Sequence, residues 1–480
     1  DYQNHNGDFG QYYLHAQNLL EGRTWSTFIE GYPAVLPGYS IFLTVLFLLF
    51  GDSYFVIGLA NVVLWSFSAV VFSCLIKETY ERNWLAVLVF IGMLASSYPV
   101  IFAQDGQPNI LFTFTFILSI WALRQRSINF ILLTLLVLLP GFIRIDSIVL
   151  YVALFIYGFD TKRRDYVILA TFGAITTMGG DVFIAHVFGM KSNITHFLAT
   201  SSDGSGGAGF VGVINVYLET LIGTVFALPK ILISANLGLH DAVRIDGLNG
   251  FSAELSLLGL VLVILSAIGV FSASNIYGSP KSRDGLLSLE RLVFIGYLAF
   301  IALFMLPVVA LRYVLPAFPF FILFLALGAE RTVSYLRAPP ILAKLLLTPF
   351  LCLAGWFTVT TDYDFAKRKN FMTSAHTQEM ADHLASFVED RQVGFYKARL
   401  LTVLLEKRSL ARHRTWSVRN SDTAQRLLEL DGVIVVRNGH VSDEFLDWLN
   451  TNTSLCPTWE NPGFAIYEQR VANRQCYTSR

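Results

Sequence analysis

Residues 6–39 read NGDFGQYYLHAQNLLEGRTWSTFIEGYPAVLPGY and precede several hundred mostly apolar residues. We interpret Asn6-Gly7 as a turn. The pattern then predicts a helix over Asp8–Glu21 that stops at Gly22, a residue type that commonly ends helices. One face of this helix is apolar, with helical spacing of Phe9, Tyr12, Tyr13, Ala16, Leu19 and Leu20. We therefore expect a short helix that lies on a membrane surface.

Asp8 has two interpretations. Asp is a favoured N-cap residue, and Gln11 completes a capping-box-like pattern, so the helix alone favours capping over catalysis. The order of the residues that follow favours a catalytic role. This order is Tyr12, His15-Ala16, Leu20-x-Gly22, Tyr32-Pro33, Leu36-Pro37-Gly38-Tyr39 and an apolar helix that ends at Leu49-Phe50-Gly51.

This order resembles the first external loop of the GT-C glycosyltransferases. The resemblance is strongest to the protein mannosyltransferase and aminoarabinose transferase type, which includes bacterial lipopolysaccharide-sugar transferases. Phe9 stands where many of these enzymes have a second acid, and Tyr32 stands where several have a lysine. Two later motifs extend the resemblance over most of the chain: Leu311-Arg312-Tyr313-Val314-Leu315-Pro316 with Pro319, and Gly394-Phe395-Tyr396-Lys397-Ala398-Arg399.

The resemblance implies an α-helical polytopic membrane protein with a GT-C-like fold and a small C-terminal soluble α/β domain. It also implies transfer of a sugar from a polyprenyl-phosphate donor to a lipid, glycan or protein acceptor at the outer face of the membrane. A lipid phosphate is a good leaving group, so one carboxylate that takes the proton of the acceptor hydroxyl is sufficient for an inverting displacement. Asp8 is our candidate for this general base. Paired carboxylates, which glycoside hydrolases typically need, are not required.

The leaving phosphate needs cations nearby. Arg312 is the first choice because it lies between two predicted spans, although interfacial snorkelling explains it equally well. Lys397 and Arg23 are further candidates, and Lys397 is equally explained as a solvated surface residue. Tyr12 and His15 are candidates for contact with the substrate. The alternative for His15 is that it simply faces water.

Arg144 is a fourth candidate cation, next to Asp146 in an apolar stretch. Ionisable residues at membrane depth are costly and are usually functional or paired. On a continuous helix, residues two apart do not face each other. We therefore leave two roles open for Arg144, which are a structural pair with a residue elsewhere and a contact with the donor phosphate.

The amino-acid composition indicates a membrane protein. It is 54% hydrophobic and 15% charged, whereas soluble domains average about 45–50% and about 25%. Its net charge is zero and it has no basic tract, which argues against nucleic-acid binding. We find no zinc motif, phosphate-binding glycine loop or nucleophile elbow, so we expect no cofactor, and nothing in the sequence supports a divalent cation.

Topology follows from the basic connections. Ten spans are predicted: Tyr54–Ile76, Trp84–Ala103, Asn109–Leu123, Ile128–Pro140, Ile143–Phe159, Tyr166–Phe188, Phe251–Ser274, Leu292–Ala310, Val314–Gly328 and Ile341–Thr360. All five basic connections then fall on one side, which we assign to the cytoplasm. We expect Asp8 and the tail on the opposite, periplasmic or extracellular side, and we expect the membrane to be the bacterial inner membrane. Pro37–Phe50 is short for a span, so we expect a surface or re-entrant helix. The family resemblance implies one further span before Asp8.

Three regions result, which are an external loop over 1–53, a multi-span domain over 54–361 and a soluble domain over 362–480. Within the second, the external loop over about 190–250 is either a linker or a lid, and an apolar helix over Val211–Ala235 is interrupted by Pro229. In the tail we predict helices over His376–Glu389 and Asp422–Leu430 and strands over Val393–Tyr396, Val433–Val436 and Phe464–Tyr467.

Two of the four cysteines, Cys456 and Cys476, lie in the tail, and we predict that they form a disulfide if the tail is outside. Two other functions are compatible with a polytopic chain. A transporter or lipid flippase should have its key charges at mid-membrane and two symmetric halves. A non-catalytic assembly subunit that keeps the fold is the third alternative, and the presence of Asp8 argues against it.

Overall fold

The computed structural model describes most of the chain. The described residues are 7–22, 29–30, 35–96, 99, 106–125, 127–187, 192, 210–233, 242–244, 253–276, 288–304, 308–366, 374–387, 391–396, 415–418, 421–439 and 441–469. The chain divides into two compact units. The sheet unit comprises Asp1–Val35, Ser40–Leu48 and Lys367–Arg480, and the helical unit comprises Leu36–Tyr39 and Leu49–Ala366.

The opening stretch forms two helices and a short strand. These are α1 over Gly7–Leu20, β1 over Ile29–Glu30 and α2 over Pro37–Phe50. Gly22 follows α1 with φ +66°, a left-handed conformation that suits glycine, so the predicted stop is correct. α2 is 14 residues long, which agrees with the prediction of a helix too short for a simple crossing.

The helical unit is built from long apolar helices. They are α3 over Tyr54–Tyr80, α4 over Asn83–Leu94, α5 over Asn109–Arg124, α6 over Phe130–Ile143, α7 over Ile148–Asp160, α8 over Arg164–Val187, α9 over Phe210–Ile233, α10 over Ala253–Ile276, α11 over Leu289–Phe304, the one-turn α12 over Leu311–Val314, α13 over Phe318–Tyr335 and α14 over Ile341–Ala366. Strands β2 over Ala242–Arg244 and β3 over Val308–Ala310 pair antiparallel.

Among the described residues, three apolar segments are long enough and apolar enough to cross a membrane. They are Phe55–Tyr80, Arg164–Val187 and Leu315–Tyr335. Several other apolar helices of the described chain are shorter. Together these helices confirm the predicted α-helical polytopic membrane architecture.

Several predicted boundaries in this unit are wrong. α4 ends at Leu94, short of the predicted Ala103. The predicted span Leu292–Ala310 ran too far, because Val308–Ala310 is a strand that pairs with β2. α9 continues through Pro229 instead of breaking there. α6 continues past Pro140, because a proline in the last turn removes only one backbone donor.

Glycines allow α10 and α13 to approach closely. A Cβ added to Gly269 would lie 1.8 Å from the carbonyl oxygen of Phe324, and one added to Gly328 would lie 1.7 Å from that of Leu265. These distances are to backbone atoms, which cannot move aside like a flexible side chain. Small residues at helix crossings are typical of membrane bundles, where close backbone packing drives association.

The sheet unit contains a mixed six-stranded sheet. Its later elements are α15 over Ala375–Phe387, β4 over Val393–Tyr396, β5 over Thr415–Val418, α16 over Ser421–Glu429, β6 over Val433–Arg437, α17 over Asp443–Thr451, β7 over Leu455–Glu460 and β8 over Phe464–Gln469. The strand order is β1-β5-β4-β6-β8-β7. The first four strands are parallel, and β8 and β7 are antiparallel to their neighbours.

The core of this unit lies between the sheet and its helices. Leu427 and Leu428 of α16 pack with Ile434 of β6, and the ring of Tyr396 stacks on that of Phe445 at 4.1 Å. The predicted fold class of the tail, a small soluble α/β domain, is therefore confirmed. An additional finding is that β1, from the opening stretch, pairs parallel with β5.

The cysteines agree in part with the sequence analysis. Cys456 is disulfide-bonded, whereas Cys74 and Cys352 in the helical unit are free thiols. Cys476 lies outside the described residues, so its pairing with Cys456 stays a prediction.

Candidate functional site

The first candidate residue, Asp8, lies in the first turn of α1. The helix begins at Gly7, so Asp8 follows the helix start and does not occupy the cap position that the sequence suggested. The side chain of Asp8 lies outside the described part of the structure. The amide nitrogen of the Gln11 side chain is buried and makes no hydrogen bond within the described residues.

His15 and Tyr12 are on the same helix. His15 is fully buried, and Tyr12 is also buried, so the alternative in which His15 faces water is wrong. α2 packs against the side of α1 that carries Tyr13 and Ala16. Ring centroids of Tyr13 and Phe47 are 5.2 Å apart, and the Thr44 hydroxyl donates to the Ala16 carbonyl at 3.4 Å. α1 is therefore not a surface helix with one face in water.

The structure does not describe the side chains of three of the candidate cations. Arg312 lies in the one-turn helix α12, but its side chain is not described. Arg23 and Lys397 lie outside the described residues altogether. Arg144 is the candidate cation whose surroundings the structure defines.

Arg144 lies where the chain leaves one helix and enters the next. α6 ends at Ile143, and Arg144 has an extended backbone with φ −147° and ψ 144°. A 3₁₀ turn over Ile145–Ser147 then leads into α7. Because this break replaces a continuous helix, Arg144 and Asp146 do face each other, contrary to our expectation from helical spacing.

Two oxygens hold the Arg144 guanidinium. Its Nε donates to Asp146 Oδ2 at 2.9 Å, and its Nη2 lies 2.8 Å from the same oxygen. Its Nη1 donates to Asn109 Oδ1 at 2.7 Å. Asn109 is the first residue of α5, so the contact joins the start of α5 to the end of α6.

Aromatic rings flank the same cation. The guanidinium carbon lies 5.1 Å from the ring centroid of Tyr313 and 5.8 Å from that of Phe112. Both distances are within the range of cation–π attraction. Tyr313 belongs to the motif that we singled out for Arg312, so this motif reaches Arg144 through its tyrosine.

Asp146 is the buried centre of this cluster. Its side chain is 2% exposed, against 12% for Arg144. Tyr297, from the middle of α11, donates its hydroxyl proton to Asp146 Oδ2 at 3.2 Å. The two side chains form a buried ion pair, in which Asp146 fixes the position of the Arg144 guanidinium.

Sequence reasoning missed Asn109, Tyr297 and Tyr313. A polar side chain at the start of an apolar helix is a weak signal that would have drawn attention to Asn109. Tyr297 gives no such signal, because a tyrosine inside an apolar run is common and its partner is 151 positions away along the chain.

An apolar groove begins directly beside this cluster. It encloses about 550 Å³, and all of its lining side chains are apolar. Ile145 is one of its lining residues, and the walls include Ile148, Val152 and Ile156 of α7, Met178 of α8, and Leu292, Gly296 and Phe300 of α11. Val152 and Ile295 are about half exposed. The groove is therefore open on the apolar outer surface of the helical unit.

A second polar cluster lies at the opposite ends of the same helices. Arg124 ends α5 and donates to both carboxylate oxygens of Glu290, at 2.9 and 3.1 Å, where α11 begins. Tyr166, near the start of α8, accepts a hydrogen bond from Arg163 at 2.7 Å and donates to the Leu123 carbonyl at 2.6 Å. The predicted basic connections that contain Arg124 and Arg163 therefore lie close together and away from Arg144. The predicted one-sided topology requires this arrangement.

Among the described residues, no group of three or more His, Cys, Asp or Glu side chains is arranged to hold a metal ion.

Solved structures provide the comparison with known proteins. The crystal structure of ArnT from Cupriavidus metallidurans bound to undecaprenyl phosphate superposes with a TM-score of 0.54 and 11% identity, covering 97% of this chain and 94% of that chain. The chain shares the fold of ArnT. The apo structure of ArnT matches with a TM-score of 0.53 and 11% identity, covering 96% of this chain and 92% of that chain. No protein-family model and no curated protein matches the sequence.

The likeness to ArnT spans both units, so the GT-C-like fold predicted from the motif order is confirmed. At 11% identity the likeness establishes the fold, and the chemistry has to be argued from the residues of this chain.

Proposed function

We propose that this protein transfers a sugar from a polyprenyl-phosphate donor to an acceptor hydroxyl, with inversion at the anomeric carbon. Asp8 is the general base that takes the hydroxyl proton as the acceptor oxygen attacks. Arg312 and Arg144 stabilise the leaving phosphate, Arg23 and Lys397 assist them, and Tyr12 and His15 contact substrate. The reaction takes place at the outer face of a bacterial inner membrane.

The observation that carries this proposal is the apolar groove whose lining includes Ile145, the residue next to Arg144. A polyprenyl phosphate has a long apolar chain and a small anionic head. The groove offers apolar walls along α7 and α11 for the chain, and Arg144, the neighbour in sequence of the groove residue Ile145, offers a positive charge for the head. Because a guanidinium has five N–H donors, one arginine can hold a carboxylate and a phosphate together.

The solved ArnT structure supports a donor of this class, since it contains undecaprenyl phosphate on the same fold. The positions of the charges argue against a transporter. The pairs Arg144–Asp146 and Arg124–Glu290 lie at helix ends, whereas a transporter places its key charges near the middle of the membrane.

Filling the groove should weaken donor binding in proportion to chain length. A Cβ at Gly296 would lie 3.3 Å from Val149, so Gly296→Trp places an indole inside the groove. We expect KM for a long-chain polyprenyl-phosphate sugar to rise at least about tenfold, because each CH₂ group kept from burial costs about 0.8 kcal/mol. Transfer kinetics with long-chain and short-chain donors measure this.

Gly58→Trp is the matched control, because a Cβ at Gly58 has no atom within 4 Å. It should leave KM for both donors unchanged. An equal rise of KM for the long-chain and short-chain donors in Gly296→Trp, or no rise at all, would show that the groove does not hold the lipid chain.

A further inference from the structure

Helix α1 carries a buried polar stripe. Gln11, His15 and Asn18 recur at helical spacing and are 3%, 0% and 2% exposed. The same periodicity places Asp8 on this face, one turn before Gln11. The helical geometry sets this stripe on the side opposite to Tyr13 and the other residues that pack against α2.

Two members of the stripe have unused hydrogen-bond donors. The amide nitrogens of Gln11 and Asn18 are buried, and neither donates a hydrogen bond within the described chain. Gln17, on another face of the same helix, shows the contrast, because its amide donates to the Tyr13 hydroxyl at 3.2 Å. Buried donors without partners are costly, and in native proteins they call for an explanation such as a bound ligand.

The length of the stripe restricts the ligand. Gln11 and Asn18 are about 10 Å apart along the helix axis, at a rise of about 1.5 Å per residue. This exceeds the width of one sugar ring. Amide N–H groups suit hydroxyl oxygens, which accept hydrogen bonds, and an extended carbohydrate presents such oxygens at intervals along its length.

We propose that the stripe binds the hydroxyl groups of two sugar units, Gln11 contacting the transferred sugar near Asp8 and Asn18 contacting a sugar of the acceptor. This inference rests on the proposed sugar transfer and names the acceptor class as a glycan, as opposed to a protein or a simple lipid. Gln11 and Asn18 would then set specificity, and their unpaired donors in the free protein would be the groups that the substrate satisfies.

The test replaces each amide by an apolar side chain of similar size. We expect Asn18→Leu to raise KM for a glycan acceptor up to about tenfold and to leave KM for the donor unchanged, since one neutral hydrogen bond is lost. Gln11→Leu should raise KM for the donor. Both variants should unfold at the same temperature as the wild type or higher, because a buried unpaired donor has been removed. Gln17→Leu, as the control, should change neither KM.

A binding measurement separates this inference from the transfer reaction itself. Thermal unfolding is followed with defined free oligosaccharides of one to four hexose or heptose units. Stabilisation of the wild type by two or more units, and its loss in Asn18→Leu, supports the proposal even if no polyprenyl-phosphate sugar is consumed. If Asn18→Leu does not fold, Asn18→Ala removes the amide without added volume. Equal stabilisation by one and four units, no stabilisation by any, or an unchanged response in the Asn18 variant overturns it.

Discussion

Replacement of Asp8 by Asn is expected to lower the rate of sugar transfer by about 10²–10⁴-fold, the usual contribution of general acid–base catalysis. Asn has nearly the size of Asp and caps helices about as well, so the substitution removes the proton acceptor and little else. Helix α1 begins before Asp8, so the helix does not depend on this residue as its cap. Thermal unfolding of the purified variant should therefore match that of the wild type.

Glu21→Gln is the matched control, because Glu21 is an exposed acid that follows α1 at its other end. It should leave the transfer rate unchanged. If Asp8→Asn is equally silent, another residue is the base.

Replacement of Asp146 by Ala is expected to destabilise the protein by about 3–5 kcal/mol, because it leaves the Arg144 charge buried without its partner. The Tyr297 hydroxyl loses its acceptor in the same step. Arg144 should also lose its fixed position beside the groove, so KM for the lipid donor should rise. Denaturation of the purified protein in detergent measures the first effect, and transfer kinetics measure the second.

The chain contains a matched control for this variant. Arg163 and Asp165 have the same spacing as Arg144 and Asp146 and pair at 2.6 Å, but their side chains are 50% and 40% exposed. Exposed pairs contribute little, so Asp165→Ala should cost no more than about 1 kcal/mol. A similar small cost for Asp146→Ala would mean that the Arg144–Asp146 pair is solvated and does not organise the helix break.

Elements with strong local patterns could be predicted from the sequence. α1 and α2 start and end within one residue of the predicted positions, because glycine, proline and the apolar period act within a few residues. In the tail, β4 over Val393–Tyr396 and the start of β6 at Val433 were predicted for the same reason. The GT-C-like fold followed from the order of short motifs.

Contacts between distant parts of the chain could not be predicted. The pairing of β1 with β5 joins residues almost 400 positions apart, and a two-residue strand has no detectable period. The contact of Arg144 with Asn109 depends on how two helices pack, and its bond with Asp146 depends on one extended residue. Local spacing alone gave the wrong answer for that pair.

The burial of polar residues on α1 could not be predicted from the sequence either. The sequence predicted that α1 has one apolar face and lies on a membrane surface. In the structure Gln11, His15 and Asn18 are enclosed. A polar face covered by other parts of the chain has the same sequence pattern as one covered by water, so only tertiary structure separates the two.

The most direct test of sugar transfer follows the donor itself. Purified protein in lipid vesicles is incubated with a polyprenyl-phosphate sugar, radiolabelled in the sugar, together with a glycan acceptor. We expect label to appear in the acceptor with inverted anomeric configuration, and free polyprenyl phosphate to form in equal amount. Asp8→Asn should show neither product above background. Movement of intact labelled lipid between the leaflets, with no cleavage of the sugar–phosphate bond in any donor and acceptor combination, would contradict the transferase assignment and favour a flippase.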